Sequence, residues 1–279
     1  MKKKKVAKKR VAKKKSVTIL TPFAGRWACI YQYFKSLQGL DISGLEVRVV
    51  FYDNSCDTDF GMLLQAFLKN NRRRYSSFSY IVDQNTPIAG VGEMKDMAIG
   101  RIMNSFKDYI GKSTYSIVIE DDTVVPANAL QKLIFDMETM PKAGITQGIE
   151  VGRHNSNFIG VTRIDEIFHY PPIEGKPNPE LIFNGCMNLQ NYGNKNSGVE
   201  EIGGGGFYCS LFRSDVYRKI DFESKVIGST SVDVIVGPKV RRLGYKWYAD
   251  WSVNCTHHTV DVLDMRTVPL ALGKTNDKK

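Results

Sequence analysis

Tyr115-Ser-Ile-Val-Ile-Glu-Asp-Asp-Thr-Val-Val-Pro126 is the stretch from which the rest of the chain can be read. Ser116 to Ile119 is short, apolar and β-branched, the pattern of a strand buried on both faces. It runs straight into three acids, Glu120, Asp121 and Asp122. Beyond it, Leu130, Leu133 and Ile134 fall at helical spacing, which predicts a helix opened by Pro126. Acids at the carboxyl end of a buried strand lie on the edge where open α/β sheets bind ligands. Three adjacent carboxylates repel one another, and a cation would neutralise them. Oxygen donors suit a hard ion such as Mg²⁺ or Mn²⁺. The competing reading is an acidic turn that caps the following helix.

The segments upstream repeat the same unit. Val17 to Leu20 and Val47 to Tyr52 read as strands, ended by Thr21-Pro22 and by the turn Asp53-Asn-Ser-Cys-Asp57. Phe78 to Val82 is a third strand, followed by Asp83-Gln-Asn85. Helices are expected between them: one bearing Trp27, Ile30, Tyr31 and Phe34, one over about 60–68, and one over about 93–106 after Gly90-Val-Gly92. The order β-α-β-α-β-α-β predicts a mostly parallel sheet with helices on both faces. Downstream, Gly144 to Val151 is a candidate strand, and residues 152–200 read as long loops with short strands. Gly203 to Gly206 signals close backbone approach. Helices are expected from Ser214 and over about 232–243, the latter ending at Gly244. A last strand, Tyr245 to Val253, precedes Cys255-Thr-His257-His258.

With 279 residues, 42% of them hydrophobic, the chain can bury one large α/β core. No apolar run reaches membrane-spanning length, and the N-terminus lacks a signal-peptide core. The five cysteines show no metal-type spacing and read as reduced thiols of a cytoplasmic protein. Charge is concentrated at one end. Residues 1–15 hold ten Lys or Arg and no acid, and without them 29 basic residues face 29 acidic ones. The entire net charge of +10 therefore belongs to a tail that repels itself and is expected to be disordered.

Taken in order, these segments resemble the GT-A nucleotide-sugar glycosyltransferases, closest to the family 2 group, over about residues 16–258. Asp53-Asn-Ser-Cys-Asp57 resembles the family turn after the second strand, one residue shorter, and the resemblance implies that Asp53 meets the nucleotide base and ribose. Gly92-Glu-Met-Lys95-Asp96 resembles a family helix start, which would turn Lys95 to the phosphates. Glu120-Asp121-Asp122 resembles the Asp-x-Asp element with Glu in first place. The resemblance implies that Asp122 binds the metal and that Glu120 lies closer to sugar or ribose, while Asp121, by its position, reads as a helix-start acid. Gly203 to Phe207 resembles the glycine-rich segment near the sugars. Asp233 stands where inverting members carry the general base, with Val232 in place of the usual Glu. His257 resembles a histidine that completes the metal site in many relatives.

These resemblances imply one GT-A domain over 16–279, with a nucleotide-binding half over 16–126 and an acceptor-binding half over 127–279. They imply an enzyme, a hexosyl- or pentosyltransferase using Mn²⁺ or Mg²⁺ and a nucleoside-diphosphate sugar. The basic tail suits a polyanion, most simply nucleic acid. A hydroxymethylated pyrimidine in DNA is therefore one expected acceptor, as for some viral enzymes of similar form. A surface-polysaccharide or protein glycosyltransferase whose tail meets anionic lipid is the alternative. A non-catalytic nucleic-acid-binding protein on the same scaffold is the other.

Overall fold

Val17, Ile19 and Phe23 alternate with Thr18 and Leu20 along the first strand, so this strand is apolar towards both sides and has to be covered on both. The computed structural model describes residues 14–83, 93–150, 158–162, 167–168, 182–183, 187–188, 198–222 and 232–258. The anticipated loop at Gly90-Val-Gly92, most of 152–200 and the tail to residue 13 lie outside the described residues.

Strands β1 (Lys15–Phe23), β2 (Leu45–Asp53), β3 (Ser77–Val82) and β4 (Tyr115–Ile119) run parallel in the order β3-β2-β1-β4. They are separated by helices α1 (Ile30–Gly39), α2 (Thr58–Asn70) and α3 (Glu93–Ser105). A two-residue strand β5 (Thr123–Val124), helix α4 (Ala129–Thr139) and strand β6 (Ala143–Glu150) follow. Then come five two-residue strands, β7 (Phe158–Ile159), β8 (Val161–Thr162), β9 (Ile167–Phe168), β10 (Ile182–Phe183) and β11 (Met187–Asn188). The chain closes with β12 (Val199–Ile202), β13 (Gly204–Gly205), β14 (Cys209–Arg213), α5 (Ser214–Lys219), α6 (Val232–Arg242) and β15 (Lys246–His257). Antiparallel β14 sits between β4 and β6, and β15 pairs β6 in parallel. The full order is β12-β15-β6-β14-β4-β1-β2-β3, the expected mostly parallel sheet.

Each face has its own core. Val17, Ile19 and Phe23 pack with Ile30, Tyr33, Phe60, Leu64, Leu130 and Leu133 from α1, α2 and α4. Leu20, Val50 and Val118 pack on the other face with Met103, Tyr217, Val236 and Val240 from α3, α5 and α6. Burying such a side chain contributes about 1.5–3 kcal/mol, so both helical layers hold the strand ends in register.

Several boundaries differ from the sequence expectation. Trp27 precedes α1, and α4 begins three residues after Pro126. Lys15 is the first residue of β1, ion-paired at 2.6 Å with Glu138 on α4, so the fold begins inside the segment read as tail. The last strand runs four residues past Val253, through His257. That extension builds the site described next.

Candidate functional site

Strand β4 delivers Glu120, Asp121 and Asp122 to the carboxyl edge of the sheet, and β15 delivers His257 to the same place. The short strand β5 makes the connection, with His257 opposite Thr123 and Thr256 opposite Val124. The His258 amide donates to the Asp122 carbonyl at 2.8 Å, which fixes the two segments together. One donor atom each from Glu120, Asp122 and His257 then lies within 4.8 Å of the others. His257 Nε2 is 2.9 Å from Asp122 Oδ1 and 4.0 Å from Glu120 Oε2. At 2.9 Å Nε2 and Asp122 Oδ1 form an ion pair when the imidazole is protonated, and Nε2 has no other hydrogen-bond partner among the described residues. Two carboxylates and an imidazole nitrogen facing one point form a donor set suited to Mn²⁺, which takes oxygen and nitrogen together more readily than Mg²⁺ does. The residues present fit a divalent cation.

Two further groups support this cluster, and neither was singled out from sequence. Glu150, the last residue of β6, is 2% exposed and places Oε1 2.8 Å from His257 Nδ1. Burial pushes the His257 imidazolium down, but the Asp122 and Glu150 carboxylates outweigh it and lift it to about 9. Arg26, in the loop after β1, places Nη1 2.6 Å from Asp121 Oδ1 and 2.5 Å from Asp122 Oδ2. The Ala24 amide donates to the other Asp121 oxygen at 3.0 Å. Asp121 is thus not the helix-start acid that its position suggested. It is 2% exposed and ties the β1 loop to the end of β4. Burial pushes its carboxyl up to about 6, with Arg26 opposing and the Asp122 charge adding.

Asp53 lies on the same edge, at the end of β2, separated from β4 by β1. It is buried, with Oδ1 accepting from the Ser55 amide at 2.9 Å and Oδ2 from the Tyr80 hydroxyl at 2.5 Å. A cavity of about 180 Å³ opens there, lined by Asp53, Ser55, Asp57, Gly61, Met62 and Tyr80 among others. Gly61 lets α2 approach, because a Cβ would stand 2.6 Å from the Tyr80 hydroxyl. Asp57 caps α2 through the Asp59 and Phe60 amides and accepts from Trp27 Nε1 at 2.9 Å.

Lys95 and Asp233 fall in the first turns of α3 and α6, and their side chains lie outside the described residues. The glycine-rich segment meets α6 directly. Arg241 donates to the Gly203 carbonyl through Nη1 at 3.0 Å and Nη2 at 2.7 Å. A Cβ on Gly237 would fall inside the van der Waals envelope of that same oxygen. Among the described residues, no helix is long and apolar enough to cross a membrane.

A scan against protein-family models and a search of curated proteins each gave no match. Solved structures do match. One is the mannosyltransferase PcManGT from Pyrobaculum calidifontis in complex with GDP-Man and Mn²⁺, with a TM-score of 0.54 and 12% identity over 88% of this chain and 57% of that one. Another is GalNAc-T7 with UDP, GalNAc and Mn²⁺, with a TM-score of 0.58 and 8% identity over 88% of this chain and 44% of that one. This chain therefore has the fold of the GT-A glycosyltransferases while spanning about half the length of these two proteins.

Proposed function

We propose that this chain is a metal-dependent glycosyltransferase that moves a sugar from a nucleoside diphosphate to a hydroxyl group. The observation that carries the reading is the convergence of Glu120, Asp122 and His257 at the carboxyl edge of a GT-A sheet, with the Asp53 cavity on the same edge. The two solved structures named above contain Mn²⁺ and a nucleotide or nucleotide sugar, which agrees with the donor set seen here.

In this reading Asp122 and His257 would hold the cation, with Glu120 closer to sugar or ribose. A dication there supplies neutralisation of the charge that appears on the departing nucleoside diphosphate. Asp53 and the cavity beside it take the base and ribose, and Lys95 faces the phosphates. Asp233 accepts the proton of the acceptor hydroxyl, because an unactivated alcohol is a poor nucleophile. Substitution then proceeds with inversion. Val232 stands where inverting relatives carry Glu, which leaves retention as the second stereochemical outcome.

The acceptor reading rests on the charge distribution. Ten basic residues and no acid within 1–15, against a balanced remainder, suit a polyanionic acceptor. We assign it to nucleic acid, with a hydroxymethylated pyrimidine in DNA as the reacting group. Such a base has to leave the stack to reach a pocket, and attraction by the tail helps offset that cost.

The test is a thermal-shift screen of nucleoside diphosphates and nucleotide sugars with and without Mn²⁺. A donor that binds only the native state raises Tm, and at a hundred times its Kd the gain is about 2.7 kcal/mol. A metal-dependent rise with one nucleotide class is expected. No rise with any of them, in a protein that melts cooperatively, would rule the reading out.

A further inference from the structure

We infer that Glu150 is a positioning residue that fixes His257 in the tautomer and orientation needed for metal binding. The inference rests on the metal reading proposed above. An imidazole has two nitrogens, and the group opposite one decides what the other can do. Glu150 Oε1 lies 2.8 Å from His257 Nδ1. A carboxylate only accepts, so Nδ1 carries the hydrogen. Nε2 is thereby the nitrogen turned to Asp122 and Glu120, 2.9 and 4.0 Å away, with no other hydrogen-bond partner among the described residues.

The backbone explains why Glu150 is placed to do this. It is the last residue of β6 and faces Cys255 across the parallel ladder, two residues before His257. The ladder carries the strand bearing His257 past the carboxylate and on to its pairing with Thr123. At 2% exposure Glu150 has lost its hydration, a cost that an isolated buried charge does not recover without a partner. A carboxylate behind a metal-binding histidine typically alters metal affinity by about 10–100-fold.

The experiment measures Mn²⁺ binding to the full chain without nucleotide, following free Mn²⁺ by electron paramagnetic resonance. Glu150→Leu is expected to weaken binding about 10–100-fold. Glu150→Gln is expected to weaken it less, because the amide oxygen still accepts from Nδ1. In a His257→Ala background, either Glu150 substitution is expected to change nothing further, since the histidine it positions is gone. Should Glu150→Leu fail to fold, Glu150→Gln alone and with His257→Ala completes the cycle. Wild-type affinity in the folded Glu150 variants would overturn the inference. An equal loss with and without His257 would overturn it too, marking Glu150 as a structural residue. Failure of the premise looks different: wild-type protein that binds no Mn²⁺, or His257→Ala that binds it normally, removes the metal reading and this inference with it.

Discussion

Arg26 Nη1 lies 2.5 Å from Asp122 Oδ2, so the guanidinium takes one oxygen of the carboxylate and leaves Oδ1 to face His257. The same nitrogen reaches Asp121 at 2.6 Å. One partly buried cation therefore offsets two buried acids and makes Asp122 a one-oxygen donor. Arg26→Gln should destabilise the metal-free protein by about 3–5 kcal/mol, as when one partner of a buried pair is removed. A divalent ion bound to Asp122 compensates part of that loss, so Mn²⁺ should raise Tm more in the variant than in wild type. Melting curves with Mn²⁺ and with a chelator check this. An equal rise in both proteins would mean that Arg26 and the ion do not share the carboxylate.

Asp136 on α4 is 4% exposed and lies against Asp250 of β15. Burial pushes its carboxyl up to about 7, and the neighbouring Asp250 adds to the rise. The folded protein holds a proton there that the unfolded chain releases near pH 4. Native protein thus binds more protons between about pH 4 and 7, and stability falls as pH rises through that window. Asp136→Asn removes the penalty. Its advantage should be on the order of 1–3 kcal/mol at pH 8, discounted for partial solvation, and should vanish by pH 4. A pH-independent difference in denaturation midpoints would contradict the pairing.

Gly237→Ala places a methyl against the Gly203 carbonyl, which also accepts from Arg241. Either α6 or the Gly203 segment has to shift, and a shift of α6 carries Asp233 in its first turn with it. An orientational error of that kind can cost about 100-fold in transfer. Mn²⁺ affinity should stay within twofold, because Glu120, Asp122 and His257 lie on β4, its turn and β15. Equal losses of metal binding and transfer would indicate general disruption of the fold.

Deleting residues 1–14, which spares the Lys15–Glu138 pair, should leave donor hydrolysis unchanged. If the acceptor is DNA, the full chain should lose affinity steeply with salt, and truncation should flatten the slope by about 0.9 per phosphate contact removed. Unmodified DNA should bind without reacting. An unchanged slope after truncation would remove the nucleic-acid assignment.

The run of strands and helices from β1 to β4 was legible because each strand is an apolar block closed by turn residues. Asp122 was legible for the same reason, as an acid at a strand end. The extension of β15 was written in Trp251-Ser-Val-Asn-Cys-Thr-His257, where buried and exposed residues alternate to the end. It was missed because the alternation is carried by Cys255 and His257 rather than by aliphatic residues. Arg26 gave no signal, since its partner is 95 positions away and local pattern does not encode long-range pairing. Glu150 offered a weak one, an acid closing an otherwise buried uncharged strand on the edge that holds the site. The Asp233 and Lys95 assignments rest on resemblance alone, their side chains lying outside the described residues.

The most direct measurement of the central claim is calorimetric titration of nucleoside diphosphate into wild-type and Asp122→Asn protein, each with Mn²⁺ and with a chelator. Asp122→Asn preserves shape and keeps an acceptor for Arg26, while removing the charge next to His257. The account predicts Mn²⁺-dependent binding in wild type and a loss of at least about 10-fold in the folded variant, together with loss of sugar transfer. Nucleotide binding that is the same with and without Mn²⁺ in wild type, or full transfer by Asp122→Asn, would contradict it.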